Sequence, residues 1–317
     1  MLLKNLSYYQ TGGTCSQFFE PQSIEELTDT VHHINRNKIP YFLLGAGSNS
    51  LVMDENWPGA VVCFRNLNRI SFDPFRVVAE AGVENSNFAN FCLNASLDGS
   101  SWMYHMPGQL GPTIRMNARC YSGEISQIVN SVTVVTQEGK TRTYLGKEVF
   151  LGYKDTLFMR NTDIVVSAEF VLKKGDPEKI KRHMDACKSD RENKCQFLYP
   201  SCGCVFKNNY EIGIPSGLLL EEADVRQFNS DRVEISPYHA NFVFNKDATA
   251  CQILETTLNM REAVYQKFGV WLEYEMELLG IVPNDLKERF LEKRRENFNR
   301  TDLFSLRERF LRKLADI

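Results

Sequence analysis

Leu44-Gly45-Ala46-Gly47-Ser48-Asn49-Ser50-Leu51 follows the apolar run Tyr41-Phe42-Leu43 and is built from residues that suit an anion. Glycine reaches positive φ and lets a main-chain amide approach a phosphate with no Cβ between them; Ser and Asn add short hydrogen-bonding side chains. The spacing Gly45-x-Gly47-x-x-Ser50 resembles a dinucleotide fingerprint, which also needs a helix opening at the glycines and an acidic residue roughly 20 positions on. Residues 48–59 instead carry Asp54, Trp57, Pro58 and Gly59 with no helical stripe. The expected ligand is therefore a nucleotide pyrophosphate held by another fold, with a plain turn as the bland alternative.

Three further segments combine glycines with reactive groups. Met106-Pro107-Gly108-Gln109-Leu110-Gly111-Pro112 leads into Met116-Asn117-Ala118. Gly152-Tyr153-Lys154-Asp155-Thr156 sets a cation beside an aromatic ring and a hydroxyl, and Pro200-Ser201-Cys202-Gly203-Cys204-Val205-Phe206-Lys207-Asn208 gathers two thiols, a lysine and an amide. Singly, each reads as a turn, a surface lysine or a pair of core thiols, because a buried cysteine usually behaves as a small hydrophobe. Their order along the chain gives them weight.

The elements that position them are legible in part. Ser23-Ile24-Glu25-Glu26 is a capping box, and Ile24, Leu27, Val31 and Ile34 repeat at helical spacing until Ile39-Pro40. A strand at 41–44 then leads to the anion loop. Residues 77–79 read as a strand, Phe88, Phe91, Cys92 and Ala95 as one face of a helix, and 131–136 with 140–144 as a hairpin closed at Gly139. Residues 164–172 form another strand. Asp176 and Pro177 predict a helix over 178–188, followed by a charged connector at Lys188–Lys194. A long helix at about 248–268 stops at Gly269. In the tail, Asn284 and Thr301 are the expected caps of two helices; Leu303, Leu306, Phe310 and Leu314 make a stripe that docks on the parent domain.

At 317 residues and 43% hydrophobic content, the chain has room for two or three domains. Its 37 basic and 40 acidic residues give a net charge of −3, which makes no electrostatic case for nucleic acid. The nine cysteines include no CxxC pair and read as reduced thiols. With no apolar leader and no run near the roughly 18 apolar residues of a membrane span, a cytoplasmic protein is expected, without a metal and as a monomer or weak homo-oligomer.

In their order, these motifs, together with Gly123-Glu124-Ile125, His239-Ala240-Asn241-Phe242 and Leu272-Glu273-Tyr274-Glu275, resemble the UDP-N-acetylenolpyruvoylglucosamine reductases, over roughly residues 8–280. The resemblance implies a mixed α/β fold: an FAD-binding fold of the vanillyl-alcohol-oxidase type, made of two α/β subdomains (1–73 and 74–176), then a substrate-binding α/β domain (177–280). Residues 281–317 would be a helical extension outside it. The short stretch from Phe158 to Ile164 resembles the subtype without an extra substrate-capping loop. FAD would be bound non-covalently, NADPH would reduce it, and hydride would pass to the enolpyruvyl group of a UDP-sugar, a step in peptidoglycan precursor synthesis.

By motif position, the family's acidic hydroxyl, arginine and glutamate correspond to Cys204, Lys154 and Glu275. Gly45, Ala46, Gly47, Ser48, Asn49, Ser50, Pro107, Gly108, Gly111, Asn117 and Ala118 are the implied FAD contacts; Tyr153, Lys207, Asn208 and His239 are the implied substrate contacts. The chain departs from the family pattern at several positions. Cys204 stands for serine, Lys154 for arginine, Pro112 for glycine, and Asp231-Arg232-Val233-Glu234 for a segment of small residues. A thiol, at about 8.5, is a far stronger acid than an alcohol, so proton donation survives the first change. Lysine keeps the charge but loses the planar fork that grips a carboxylate. The departures keep two other readings open: a flavoprotein with a different substrate, and an impaired homologue that binds FAD or a UDP-sugar.

Overall fold

A computed structural model describes residues 1–73 and 76–315, the side chains of 313–315 excepted. The chain resolves into two compact units. One contains 15–46 and 58–193; the other contains 2–14, 47–57 and 194–317.

The first unit holds two sheets. Tyr41–Leu44 pairs in parallel with Trp57–Cys63, from Tyr41 opposite Ala60 to Leu44 opposite Cys63, and Cys15–Phe19 completes this small sheet. The helix Ile24–Arg36 starts where the sequence predicts, with the Ser23 side chain accepting from the Glu26 amide. It buries Leu27, Val31 and Ile34 against Ala60 and Val62. Its Glu26 carboxylate reaches back to the Gln22 amide at 2.6 Å, one residue before the cap. The larger sheet runs Thr141–Leu145, Val129–Val135, Ile164–Phe170, Arg76–Glu80, Ile70–Asp73, antiparallel throughout. Its inward residues Val77, Ala79, Val132, Val134, Ala168 and Phe170 pack on Phe88 and Cys92 of the helix Asn85–Asn94.

The helix Pro177–Asn193 is longer than the sequence suggests and packs in this first unit. The charged run read as a connector is its C-terminal end, and the exposed side of the helix is stitched by the i,i+4 pairs Lys181–Asp185 and Lys188–Glu192. Its other face buries Ile180, Met184, Cys187 and Arg191. The guanidinium of Arg191 donates to the carbonyls of Tyr104 (2.9 Å) and Trp102 (3.2 Å). The break between units thus falls after Asn193, where the sequence reading has a boundary at 176/177.

The second unit is built on the helix Ala250–Phe268, which presents Ile253, Leu254, Met260, Val264 and Phe268 to one core. A reciprocal Thr249–Gln252 capping box opens it, and Gly269, at φ +67°, closes it. Helix Ser216–Glu222, the hairpin Val233–Ile235 with Val243–Asn245, and the parallel pair Ser50–Val52 with Glu277–Leu279 pack around it. The tail does dock on this unit: Leu286, Leu303 and Leu306 join the same core. Its helices run Asn284–Leu291 and Arg300–Ala315, each capped one or two residues before the expected position, at Pro283 and at Asn299, whose side chain accepts from Asp302 N. The Leu314 side chain lies outside the described residues.

Candidate active site

In the second unit, three strand-like segments meet edge to edge. Cys204 bridges Phe242, and Phe206 bridges Tyr274. The Val205 amide donates to Asn241 O at 3.0 Å. The buried Asn241 side chain then acts as an extra strand residue, accepting from Phe206 N (2.9 Å) and donating to Phe206 O (2.8 Å). On the far side, the Glu275 amide donates to Val205 O at 2.8 Å. A second anchor holds the same residue, because Asn49 Nδ2 donates to Glu275 O at 2.9 Å. Cys204 and Glu275 therefore sit on joined backbone segments: Glu275 donates the shared hydrogen bond and Cys204 precedes its acceptor, Val205.

Neighbouring groups sort by what they touch. Cys202 is buried, and desolvation pushes its thiol up to about 12; Tyr9 beside it is wholly buried and also raised by desolvation. Both therefore keep their protons near neutrality. Lys207 Nζ lies 3.5 Å from Glu273 Oε2. Asn208 Oδ1 accepts from Ser216 N at 2.9 Å, so this amide holds the start of the following helix. The His239 ring stacks on Phe242 at 4.4 Å. A Cβ on Gly217 would stand 2.9 Å from that ring, which accounts for a glycine there.

In the first unit, Gly152 pairs with Asp155 across a two-residue tip, Tyr153-Lys154. Lys154 is buried, with φ +51°, and its charge lowers the thiol pKa of Cys120, which burial dominates and drives up to about 11. Tyr153 lies under Arg119, at 5.5 Å. Asn117, φ +44°, donates to both Glu124 Oε1 and Gly152 O at 2.8 Å.

The glycine-rich run 106–118 wraps the helix Leu110–Arg115. Gly108 O accepts from Asn85 N (3.0 Å), and Gly111 N donates to Ala81 O (2.8 Å); the Gly111 amide is thereby committed to the protein. Pro112 occupies the first turn, where the missing N–H has no helical partner to lose. A Cβ on Gly45 would stand 2.6 Å from Pro112 Cγ and 3.2 Å from Gln109 Oε1. Gln109 Oε1 and Asn117 Oδ1 are buried acceptors with no partner among the described residues. A cradle that admits no side chain at Gly45, beside the unanswered carbonyl of Gln109, fits a bound cofactor with hydrogen-bond donors of its own. Gly47, φ +67°, is fixed differently: a Cβ there would meet Leu6 O at 2.6 Å.

The comparisons with known proteins agree with this division. Residues 15–144 match the FAD binding domain model, and 194–279 match the C-terminal domain model of UDP-N-acetylenolpyruvoylglucosamine reductase. The reductase of that name from Clostridium novyi is 35% identical over 281 residues, 88% of this chain and 91% of its own. The chain belongs to the UDP-N-acetylenolpyruvoylglucosamine reductase family. A relative from Streptococcus uberis, 36% identical, covers the same shares. The crystal structure of the Thermus caldophilus reductase superposes with a TM-score of 0.72 at 28% identity, covering 88% of this chain and 97% of that one. The family brings with it the FAD-binding fold, the flavoenzyme class and the oxidoreductase chemistry.

Sequence reasoning missed Asn241, Gln109 and Arg191. Asn241 lies inside the His239–Phe242 motif, but nothing local says that its amide replaces a strand. All nine cysteines are thiols, and among the described residues no cluster of three or more His, Cys, Asp or Glu is placed to hold a metal.

Proposed function

We propose that the protein reduces the enolpyruvyl ether of UDP-N-acetylglucosamine to UDP-N-acetylmuramate in the cytoplasm, using NADPH and non-covalent FAD. When bound, FAD takes a hydride from NADPH and supplies it to the terminal vinyl carbon. The electron pair of the double bond then moves onto the carbon next to the carboxylate. That carbon must take a proton, and the developing charge must be stabilised. Cys204 gives the proton from its thiol, and Glu275 sets the charge and proton position around it. Lys154 supplies the positive charge for the substrate carboxylate.

Gly45, Ala46, Gly47, Ser48, Asn49 and Ser50, with Pro107, Gly108, Gly111, Asn117 and Ala118, are assigned to FAD. Within that set Gly45 and the Asn117 carbonyl have the strongest support. Asn49 has a second duty, holding the Glu275 carbonyl. Lys207 is assigned to the diphosphate, and Tyr153, Asn208 and His239 to the remainder of the UDP-sugar. A subdivision of the FAD-binding part near 73, a substrate-binding part that begins after Asn193, a helical extension after 280 and a monomeric or weakly associating state belong to the same reading. Among the described residues no helix is long and apolar enough to cross a membrane.

The observation that carries the reading is the joined edge of Cys204 and Glu275, an acid and a carboxylate held on paired backbone in a family whose reaction needs both. Rapid mixing of NADPH-reduced protein with the enolpyruvyl sugar nucleotide tests it. Flavin colour should return at a rate that saturates with the sugar nucleotide; a reduced flavin that ignores this substrate would refute the assignment.

A further inference from the structure

The chain beyond Gly280 lies outside the family model, which ends at residue 279, yet it is built into the backing of the reactive edge. Tyr274, next to Glu275, has Phe206 on one side at 4.8 Å between ring centroids. On the other it stacks against Phe290 at 4.3 Å and 27°. Phe290 belongs to the tail helix Asn284–Leu291. The backbone on either side of Tyr274 is hydrogen-bonded to the thiol-bearing segment, Lys207 N to Glu273 O and Glu275 N to Val205 O, both at 2.8 Å, and the Tyr274 hydroxyl lies 3.2 Å from Thr257 Oγ1, so the position of the ring is passed directly to that joined edge.

The seat of that helix is also specific. Arg261 is 3% exposed. Its guanidinium lies over Trp271 at 4.2 Å and Tyr274 at 4.7 Å, and donates to the carbonyls of Phe290 (3.1 Å) and Arg289. Those two carbonyls are at the C-terminal end of the helix, where a cation meets both unpaired acceptors and the negative end of the dipole. Trp271 Nε1 donates to Glu292 O at 2.9 Å, and Arg294 covers Trp271 at 4.6 Å while pairing with Glu262 and Glu292. Gly269 closes the seat: a Cβ there would meet Asn297 O at 1.7 Å.

We propose that the C-terminal extension is a positioning clamp for the chemistry, with Phe290 as its positioning residue: it fixes Tyr274 and, through the backbone, the placement of Glu275 against Cys204. The proposal rests on the assignment of those two residues above. Phe206–Tyr274–Phe290 is a continuous stack whose two outer members come from the thiol-bearing segment and from the tail. Removing the outer ring lets Tyr274 tilt, and a displacement near 1 Å at a reacting group costs about 10²-fold in rate.

The test uses the full-length, FAD-loaded protein. Phe290→Ala should slow flavin reoxidation by the enolpyruvyl sugar about tenfold or more, while reduction by NADPH and half-saturation by the sugar nucleotide stay within about twofold. Phe290→Tyr, which keeps the ring, should restore reoxidation. Should Phe290→Ala fold poorly, Phe290→Leu keeps apolar volume without the ring face and should show the same selective loss. Unchanged reoxidation in Phe290→Ala, or an equal loss in both half-reactions, overturns the clamp. Glu275→Gln run alongside separates the two readings. If it reoxidises normally, the site assignment fails and the clamp with it; if it is slow while Phe290→Ala is normal, only the clamp fails.

Discussion

Replacing Cys204 with alanine removes one sulfur and leaves the frame around it intact. The bonds that hold this segment are Val205 N to Asn241 O, Phe206 N to Asn241 Oδ1 and Glu275 N to Val205 O, at 3.0, 2.9 and 2.8 Å. None involves the thiol. Cys204 is half-buried, so the lost burial costs only about 1 kcal/mol of stability. The kinetic cost is different in kind. Loss of a positioned acid is worth about 10²–10⁴ in rate, or about 3–5 kcal/mol of barrier, and it falls only on the half-reaction that needs a proton. The other thiol of the motif, Cys202, is buried, and desolvation pushes it up to about 12. In stopped-flow absorbance, Cys204→Ala should be reduced by NADPH at nearly the unmodified rate and reoxidised by the sugar nucleotide at least about 10² more slowly. Cys204→Ser should retain measurable turnover. Equal loss in both half-reactions would make the thiol structural, and full turnover in Cys204→Ala would place the proton elsewhere.

Gly45→Ala should lose FAD, because its Cβ would stand 2.6 Å from Pro112 Cγ; the FAD-to-protein absorbance ratio after gel filtration measures this, and full retention would count against the cradle. Lys207→Ala should raise KM for the sugar nucleotide about tenfold with little change in kcat, as expected for a charge that binds a diphosphate equally in ground and transition states; an unchanged KM removes the assignment. Glu221 is held below the usual carboxylate value by its hydrogen bonds from Arg226, which also donates to Ser236 O at 3.1 Å. Because the folded value is the lower one, this contribution is complete above the unfolded value, near 4.3, and is lost as pH falls through the folded value. Urea midpoints at about pH 7 and pH 3.5 should differ less in Glu221→Gln than in the unmodified protein; an identical difference would show that the pair carries no pH-dependent stability.

Elements that carry their own start and stop signals are legible in the sequence alone: the Ser23 cap, Asp176-Pro177, the Gly139 turn and the Gly269 stop. The helix Pro177–Asn193 reads as shorter than it is because dense charge resembles a connector unless its i,i+4 pairing is recognised. The candidate site is legible as a set of motifs and not as an arrangement. What joins residues 204–206 to 241–242 and to 274–275 is long-range strand pairing, and no local pattern specifies which distant segment a short strand will meet. Gln109 is equally silent, since only the folded chain shows an unanswered carbonyl beside Gly45.

The departures from the family pattern are less disruptive in three dimensions than in the sequence. Proline at 112 deletes an N–H from a first helical turn, where that group is an orphan, and its ring fills the space that Gly45 leaves. Lysine at 154 gives up the guanidinium fork, but it is 6% exposed at a hairpin tip with φ +51°. A buried ammonium has fewer rotamers to lose than one in solvent, and in a low dielectric its charge acts more strongly on an anion. In the role proposed for Lys154, burial offsets in position and field strength what lysine lacks in geometry. On the proposed role of Lys154, Lys154→Arg, though it installs the family's residue, must fit a larger planar group into a tip where the lysine is already buried, and steady-state KM for the sugar nucleotide should rise and not fall; a lowered KM would refute the argument.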